Sequence, residues 1–186
     1  GAITIPPGNY SARIKVGGDS VDIPFTVAGD PNYKVSQADY EAQFDFLRQV
    51  KGKFDEVMQA IKDIQGLRTQ IKDFIDRQGA DYPKALKQQS DSLTAHLTAI
   101  EEVLHQTKAK SGQDVLNYPI RIDDKLGGVF DMAASGNMAP SRQARDVYAE
   151  LAAQADVQLE KLRKIRSEEL KAFNAAIREQ ALPVIK

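Results

Sequence analysis

Apolar residues recur at a helical spacing from Ser36 to about Gln78. Counted in sevens from Tyr40, two companion sets of positions are apolar or aromatic at nine of their eleven places. These positions are Tyr40, Leu47, Phe54, Ile61, Arg68 and Ile75, with Gln43, Val50, Val57, Ile64 and Ile71. The period predicts one long helix that supercoils with partner helices. Because Phe44, Met58, Leu67 and Phe74 widen the stripe, we expect a bundle rather than an isolated two-helix zipper.

The ends of this helix are marked by capping residues. Ser36 can cap the start, with Asp39 three residues later, and Gly79 marks the stop. Gly52 and Gly66 fall on the face opposite the apolar stripe. Either they are tolerated on a solvated face, or they let another layer such as the N-terminal strands approach closely.

The same periodicity predicts three more helices. The second runs from about 83 to 108 and is antiparallel to the first, because the connection is short. A shorter helix covers about 120 to 134 and is weakened by Gly127-Gly128. The last long helix runs from Pro140 to about Leu182.

Residues 1 to 30 show a different pattern, with a period of two. Apolar and polar residues alternate from Tyr10 to Val16 and from Val21 to Val27, on either side of a loop at Gly17–Ser20. This predicts a β-hairpin with one apolar face, which must cover the bundle, pair with another chain or belong to a larger sheet. Pro24 cannot donate to a ladder, so the second strand is expected at an edge.

The predicted fold is mainly α. An antiparallel bundle of three long helices and one short helix (31–186) follows an N-terminal β-hairpin segment (1–30). Residues 2–5 are interpreted as a strand entered midway, so we expect the chain to belong to a longer protein.

Composition narrows the functional classes. The 186 residues are 42% hydrophobic and 27% charged, with a net charge of −1. The sequence contains no basic patch with interleaved aromatic residues, so it does not predict nucleic-acid binding. The sequence has no run of eighteen apolar residues, so it predicts no membrane-spanning helix. The absence of cysteine excludes disulfides, thiol catalysis and cysteine-ligated zinc in this chain.

Candidate chemistry is sparse. His96 and His105 fall on nearly opposite faces of the second helix and cannot share a metal, and His105 is expected to face solvent. No phosphate-binding, dinucleotide or nucleophile motif is present, so we predict no catalytic residue, cofactor or metal. The irregular segment around Asp123 is the least ordinary, and its candidate contact residues are Tyr118, Arg121, Asp123 and Asp124. Helix capping and local ion pairing are the competing interpretation of these residues.

Three blocks of sequence, taken in order, carry a family resemblance. They are Pro7–Val16 with Pro24–Val27 and Asp30-Pro31, then Ser36–Val50 around Ala42-Gln43-Phe44-Asp45, then Tyr118–Leu126 followed by Ala139-Pro140-Ser141. In this order they resemble the C-terminal region of exported bacterial proteins with sortilin-like, BNR-repeat β-propellers, often described as sialidase-like glycosyl hydrolases.

The resemblance implies that residues 8–27, in the hairpin segment, are a fragment of a β-sandwich-like module and that an upstream β-propeller is the partner. It also implies an extracytoplasmic location, with any sugar-cleaving residues in that propeller rather than here. The long amphipathic helices, the absence of site chemistry and the unpartnered hairpin favour a non-catalytic helical module that braces the propeller or binds protein. The alternative is an accessory role in a glycoside hydrolase, with the residues around Asp123 contributing to a glycan site. A third possibility is a homodimer paired through the hairpin edge.

Overall fold

The computed structural model describes residues 2–79, 82–111 and 113–180. The strands are β1 (Gly8–Val16) and β2 (Asp19–Val27). The helices are α1 (Gln37–Gln78), α2 (Lys84–Leu104), α3 (Ile122–Ala134), α4 (Arg142–Lys164) and α5 (Leu170–Glu179), with a π turn at Ile165–Glu169 and a 3₁₀ turn at Asp114–Leu116. The predicted mainly α fold with an N-terminal hairpin is confirmed.

The chain forms two compact units. One comprises Gly1–Gly52 and Gly128–Tyr148, and the other comprises Lys53–Gly127 and Ala149–Lys186. The first holds the hairpin with the start of α1, and the second holds the helical bundle.

In the first unit, β1 and β2 pair antiparallel from Gly8 opposite Val27 to Val16 opposite Asp19. The predicted four-residue loop is therefore a two-residue turn, in which Gly17 adopts a φ of +60° that glycine allows without a Cβ clash. The predicted strand at residues 2–5 was wrong. Pairing starts only after Pro6-Pro7, whose nitrogens carry no hydrogen to donate.

The base of the hairpin is tied to the start of α1. Gln37 Nε2 donates to the Pro7 carbonyl at 3.0 Å, and the Tyr40 ring lies against Gly29. Beyond that base, Ser11–Val16 and Asp19–Thr26 are exposed. The apolar face of the hairpin is therefore not covered by other residues that the structure describes.

Helix contacts in the first unit centre on Gln43 and Phe46. Gln43, one of the two polar residues in the predicted stripe, is buried and donates to the carbonyls of Ala133, in the last turn of α3, and of Gly136, just after α3. Phe46 is buried with its ring edge-on to Tyr148, 5.6 Å between centroids. The heptad pattern missed Phe46, which lies between the two predicted sets.

In the second unit, α1, α2 and α4–α5 form the core. Gln65 and Arg68 of α1 bond to Glu101 near the end of α2, while Phe74 packs on Tyr82 just before α2 begins. These pairs make α1 and α2 antiparallel, as predicted. The hydrophobic residues of this unit with 2% exposure or less are Val57, Ile64, Ile71, Phe74, Leu86, Leu93, Leu97, Leu104, Leu126, Ala155, Phe173 and Ile177.

Two helix boundaries differ from the sequence prediction. The second helix ends at Leu104 rather than about 108, and His105 is extended, with φ −136° and ψ 145°. The last helix is interrupted by the π turn, and its predicted end at Leu182 lies outside the described residues.

The two glycines of α1 lie on open surface. Nothing lies within 4 Å of where a Cβ would stand at Gly52 or Gly66. Both residues are exposed. Close approach of a second layer is therefore excluded by the described contacts, and the solvated face is the correct interpretation.

Candidate functional site

The least ordinary polar contact in the second unit joins the end of α2 to the start of α3. His105 Nδ1 lies 2.5 Å from Asp123 Oδ2, and Asp123 is only 5% exposed. The second carboxylate oxygen, Oδ1, accepts the backbone N–H of Asp124 at 2.8 Å. The Asp123 carboxylate therefore has both oxygens occupied in the first turn of α3, where negative charge is favoured by the helix dipole.

Gln106 holds the connecting segment in place beside this pair. It is 8% exposed, and its amide donates to the Pro119 carbonyl at 2.8 Å and accepts the N–H of Lys108 at 3.1 Å. Because the backbone leaves the helical path at His105, the side chains of His105 and Gln106 both reach the segment at the start of α3. These two contacts stabilise the end of α2 at Leu104.

The other predicted contact residues are exposed. Tyr118 is 37% exposed, and Arg121 and Asp124 also face solvent. Among the described residues, no hydrogen bond or ion pair joins the side chain of Tyr118 or Arg121 to either aspartate. The structure therefore brings Asp123 together with His105, which sequence reasoning had placed in solvent, and leaves the other three residues apart.

The chemistry available at this pair is limited. A carboxylate bonded to Nδ1 orients an imidazole so that Nε2 is free to accept a proton. The His105 side chain is 40% exposed. A hydrolytic triad also needs a nucleophile bonded to Nε2, and the described contacts of His105 include none. Within the described ranges, no cluster of three or more His, Cys, Asp or Glu residues could hold a metal ion.

Asp114 organises the loop before α3. Its carboxylate accepts the backbone N–H groups of Lys110 and Ser111 at 2.5 and 3.0 Å and the Ser111 hydroxyl at 3.0 Å. These bonds, led by the Lys110 N–H, hold the pKa of Asp114 below its ordinary value of 3.8. The loop thereby presents Leu116, which is 88% exposed.

A second candidate surface is the apolar face of the hairpin. Five of its side chains are between 43% and 74% exposed: Ile14, Val16, Val21, Ile23 and Phe25. Tyr10 extends this face by stacking on Phe25, 5.9 Å between ring centroids. On the opposite face, Arg13 pairs with Asp22 at 2.7 Å. We refer to the five exposed residues with Tyr10 and Ala12 as the hairpin face.

The two outer edges of the hairpin differ in what they can bond. Hydrogen-bonded and non-bonded pairs alternate along antiparallel strands, and the pair that closes a two-residue turn, here Val16 and Asp19, is bonded. Counting back, Ser11 and Pro24 form a non-bonded pair, so the nitrogen of Pro24 points to the outer edge of β2. That edge lacks a donor near its middle, whereas β1 offers an unbroken row of outward N–H and C=O groups.

Comparison of the chain with protein families, with curated proteins and with solved structures returned no match. Among the helices that the structure describes, none combines the length and the apolar character needed to cross a membrane.

Proposed function

We propose that this chain is a non-catalytic helical module of a larger exported propeller protein, acting as a brace or protein-binding surface through its hairpin face. The observation that supports this most is the exposure of five large apolar side chains on one face of a two-stranded sheet. A contiguous exposed apolar patch of this kind is typical of interaction sites.

The energetics favour a partner. Full burial of an aliphatic or aromatic side chain contributes about 1.5–3 kcal/mol, so covering the exposed half of these five side chains is worth roughly 4–7 kcal/mol. An isolated two-stranded hairpin is marginal in water, and a partner sheet would stabilise it.

The partner we favour is a β-sheet of the upstream propeller region or of a module joined to it. Strand addition to the outer edge of β1 would use the backbone groups of Asn9, Ser11, Arg13 and Lys15, and a second layer of the same partner would pack on the hairpin face. Face-to-face pairing of two hairpins is less favourable. Strands of nine residues present a face of about 300 Å², and about 600 Å² in total lies below the ~1,000 Å² of stable interfaces.

The extracytoplasmic location and the propeller partner rest on the sequence resemblance. Sugar cleavage in the parent protein, if present, is assigned to the propeller and not to the His105–Asp123 pair. That pair has both carboxylate oxygens occupied by structural contacts.

The test is calorimetric titration of this chain with the separately produced upstream propeller. We expect micromolar or tighter binding that is lost in the Ile14→Thr, Ile23→Thr variant. Ser11→Thr with Ser20→Thr, on the opposite face of the two strands, is the matched control and should bind as the parent chain does. Absence of binding between two folded partners would overturn the proposal, and a mass that doubles with concentration would favour the homodimer instead.

A glycan contact at Tyr118, Arg121 and Asp124 is the second candidate. It is favoured by one observation, the exposure of an aromatic ring close in sequence to an arginine and a carboxylate that have no ion-pair partner among the described residues. Arg121→Ala should then weaken glycan affinity of the full-length protein, with Arg142→Ala as an exposed control. Unchanged affinity would exclude this role.

A further inference from the structure

A groove of about 590 Å³ runs between α2 and the α4–π-turn segment in the second unit. This volume lies within the range of small-molecule sites, about 300–1,000 Å³. Its floor is formed by the buried side chains of Ile100 and Ile165, and the exposed residues Ala99 and Val103 stand at its rim, Val103 with 38% exposure. We refer to it as the α2–α4 groove.

Two antiparallel helix faces build the groove. On α2 the lining residues follow an i, i+3, i+4, i+7 spacing, which places them on one side: His96, Ala99, Ile100 and Val103. On the other wall they continue from α4 into the π turn: Gln158, Lys161, Lys164, Ile165, Glu168 and Glu169. His96 Nδ1 lies 2.8 Å from Glu169 Oε2, so the acidic end lies beside the start of this α2 face.

The floor contains a polar group without a protein partner. Gln158 is 8% exposed, and the described contacts include no hydrogen bond from its side-chain amide. Neither polar atom of the Gln158 side chain is among the fully buried side-chain atoms that lack a partner, so the amide still reaches solvent within the open groove. Gln158 therefore offers a donor and an acceptor to whatever occupies the groove.

The groove also carries unpaired positive charge at one end. Lys161 and Lys164 make no ion pair among the described residues, whereas Arg163 and Arg166 on the same stretch pair with Glu160 and Asp63. Two ammonium groups beside an apolar floor attract an anion that brings its own apolar body.

The opposite end limits the charge of that ligand. Glu168 and the His96–Glu169 pair line it, so a second anionic group would meet a carboxylate. Seven residues separate Lys161 from Glu168, which is about 10 Å along a helix axis. The ligand is thus a single anionic head on an apolar body about 10 Å long.

From these features we infer that the α2–α4 groove binds an amphipathic organic monoanion, with its carboxylate between Lys161 and Lys164 and its apolar chain over Ile100 and Ile165. Gln158 donates to or accepts from the head group. Ile165, Glu168 and Glu169 of the π turn form part of the wall, and such turns are frequent at functional sites.

The probe is decanoate, titrated below its micelle concentration into the full chain and followed by calorimetry and by amide NMR shifts. We expect saturable 1:1 binding, with shifts confined to residues 96–103 and 158–169. Decyltrimethylammonium, which has the same chain and the opposite charge, should bind at least about tenfold more weakly.

Charge reversal at the cationic end provides the decisive variant. Lys161→Glu with Lys164→Glu should weaken decanoate binding at least about tenfold, and the exposed Lys171→Glu on α5 should leave it unchanged. A matching thermal midpoint for all three chains shows that folding is retained. Absence of saturable binding, shifts that map to the hairpin face, or an equal loss in the Lys171→Glu control would each overturn the inference.

Discussion

His105 at the end of α2 and Asp123 in the first turn of α3 are joined by a 2.5 Å contact between Nδ1 and Oδ2. This contact ties the end of α2 to the start of α3. Asp123 also accepts the N–H of Asp124 within the first turn of α3. The side chain of Asp123 is 7% exposed and that of His105 is 40% exposed, so the pair is anchored by the aspartate.

Asp123→Ala should lower the free energy of unfolding by about 1–3 kcal/mol, because the variant leaves His105 and a helix N-terminal N–H without their acceptor. Asp124→Ala, in the same helical turn but exposed, should change it by less than about 0.5 kcal/mol. Urea unfolding measures both. Equal effects of the two substitutions would show that only the charge near the helix terminus matters.

Glu101 is 3% exposed and accepts from Gln65 Nε2 at 2.8 Å and from Arg68. Glu101→Ala should cost about 2–3 kcal/mol of unfolding free energy, less than the 3–5 kcal/mol of a fully buried pair, because the Arg68 side chain is 37% exposed. The exposed neighbour Glu102 is the control, and Glu102→Ala should be nearly neutral. A loss below about 0.5 kcal/mol in Glu101→Ala would contradict the assigned bonding.

Phe74 is fully buried, with its ring 6.0 Å from that of Tyr82 and 6.1 Å from that of Phe173. Phe74→Ala should destabilise the protein by about 3–5 kcal/mol. Phe54, a predicted seam residue, is only half-buried, so Phe54→Ala should cost about half as much. Chemical denaturation of the two variants side by side checks this ranking. Equal losses of unfolding free energy would show that Phe54 and Phe74 are buried to the same extent.

Gly52→Ala and Gly66→Ala should each stabilise the protein by up to about 1 kcal/mol, because alanine has the higher helix propensity and its Cβ meets nothing within 4 Å. Gly79→Ala is the contrasting variant. Its φ of +65° disfavours a Cβ, so this change should destabilise. Thermal midpoints of the three variants test the prediction, and a drop at Gly66 would indicate a contact absent from the described surface.

The pKa of Asp114 lies below 3.8 because the Lys110 N–H, the Ser111 hydroxyl and the Ser111 N–H bond to its carboxylate. A depressed folded-state pKa means that this carboxylate contributes to stability above about pH 4, and that the contribution is lost as the pH falls through the folded pKa. NMR titration of the Asp114 carboxyl should give a lower midpoint in the parent chain than in Ser111→Ala. Identical midpoints would show that the hydroxyl does not bond.

Much of the fold follows from local pattern. The long apolar stripe predicted α1 from Gln37 to Gln78 almost to the residue, because capping at Ser36 and a left-handed glycine at Gly79 are local effects. The alternation of residues 10–27 likewise predicted the paired strands. The tight turn differed from the predicted loop because Asp19 and Ser20 continue the ladder when Gly17 supplies the positive φ.

The candidate sites depended on contacts that no local pattern contains. His105 was expected in solvent because helical periodicity was extended past Leu104, and only the position of α3 draws it toward Asp123. The α2–α4 groove was missed for a related reason, since the residues that line its two walls are more than fifty positions apart in sequence.

The sequence by itself therefore determined the helices, the hairpin and the absence of cysteine chemistry, since each depends on nearest neighbours or on composition. Tertiary structure decided which polar residues of the stripe are satisfied, as when Gln43 reaches the carbonyl of Ala133 and Arg68 reaches Glu101. It also decided that the hairpin face stays exposed, because burial depends on what packs against a surface and not on the surface alone.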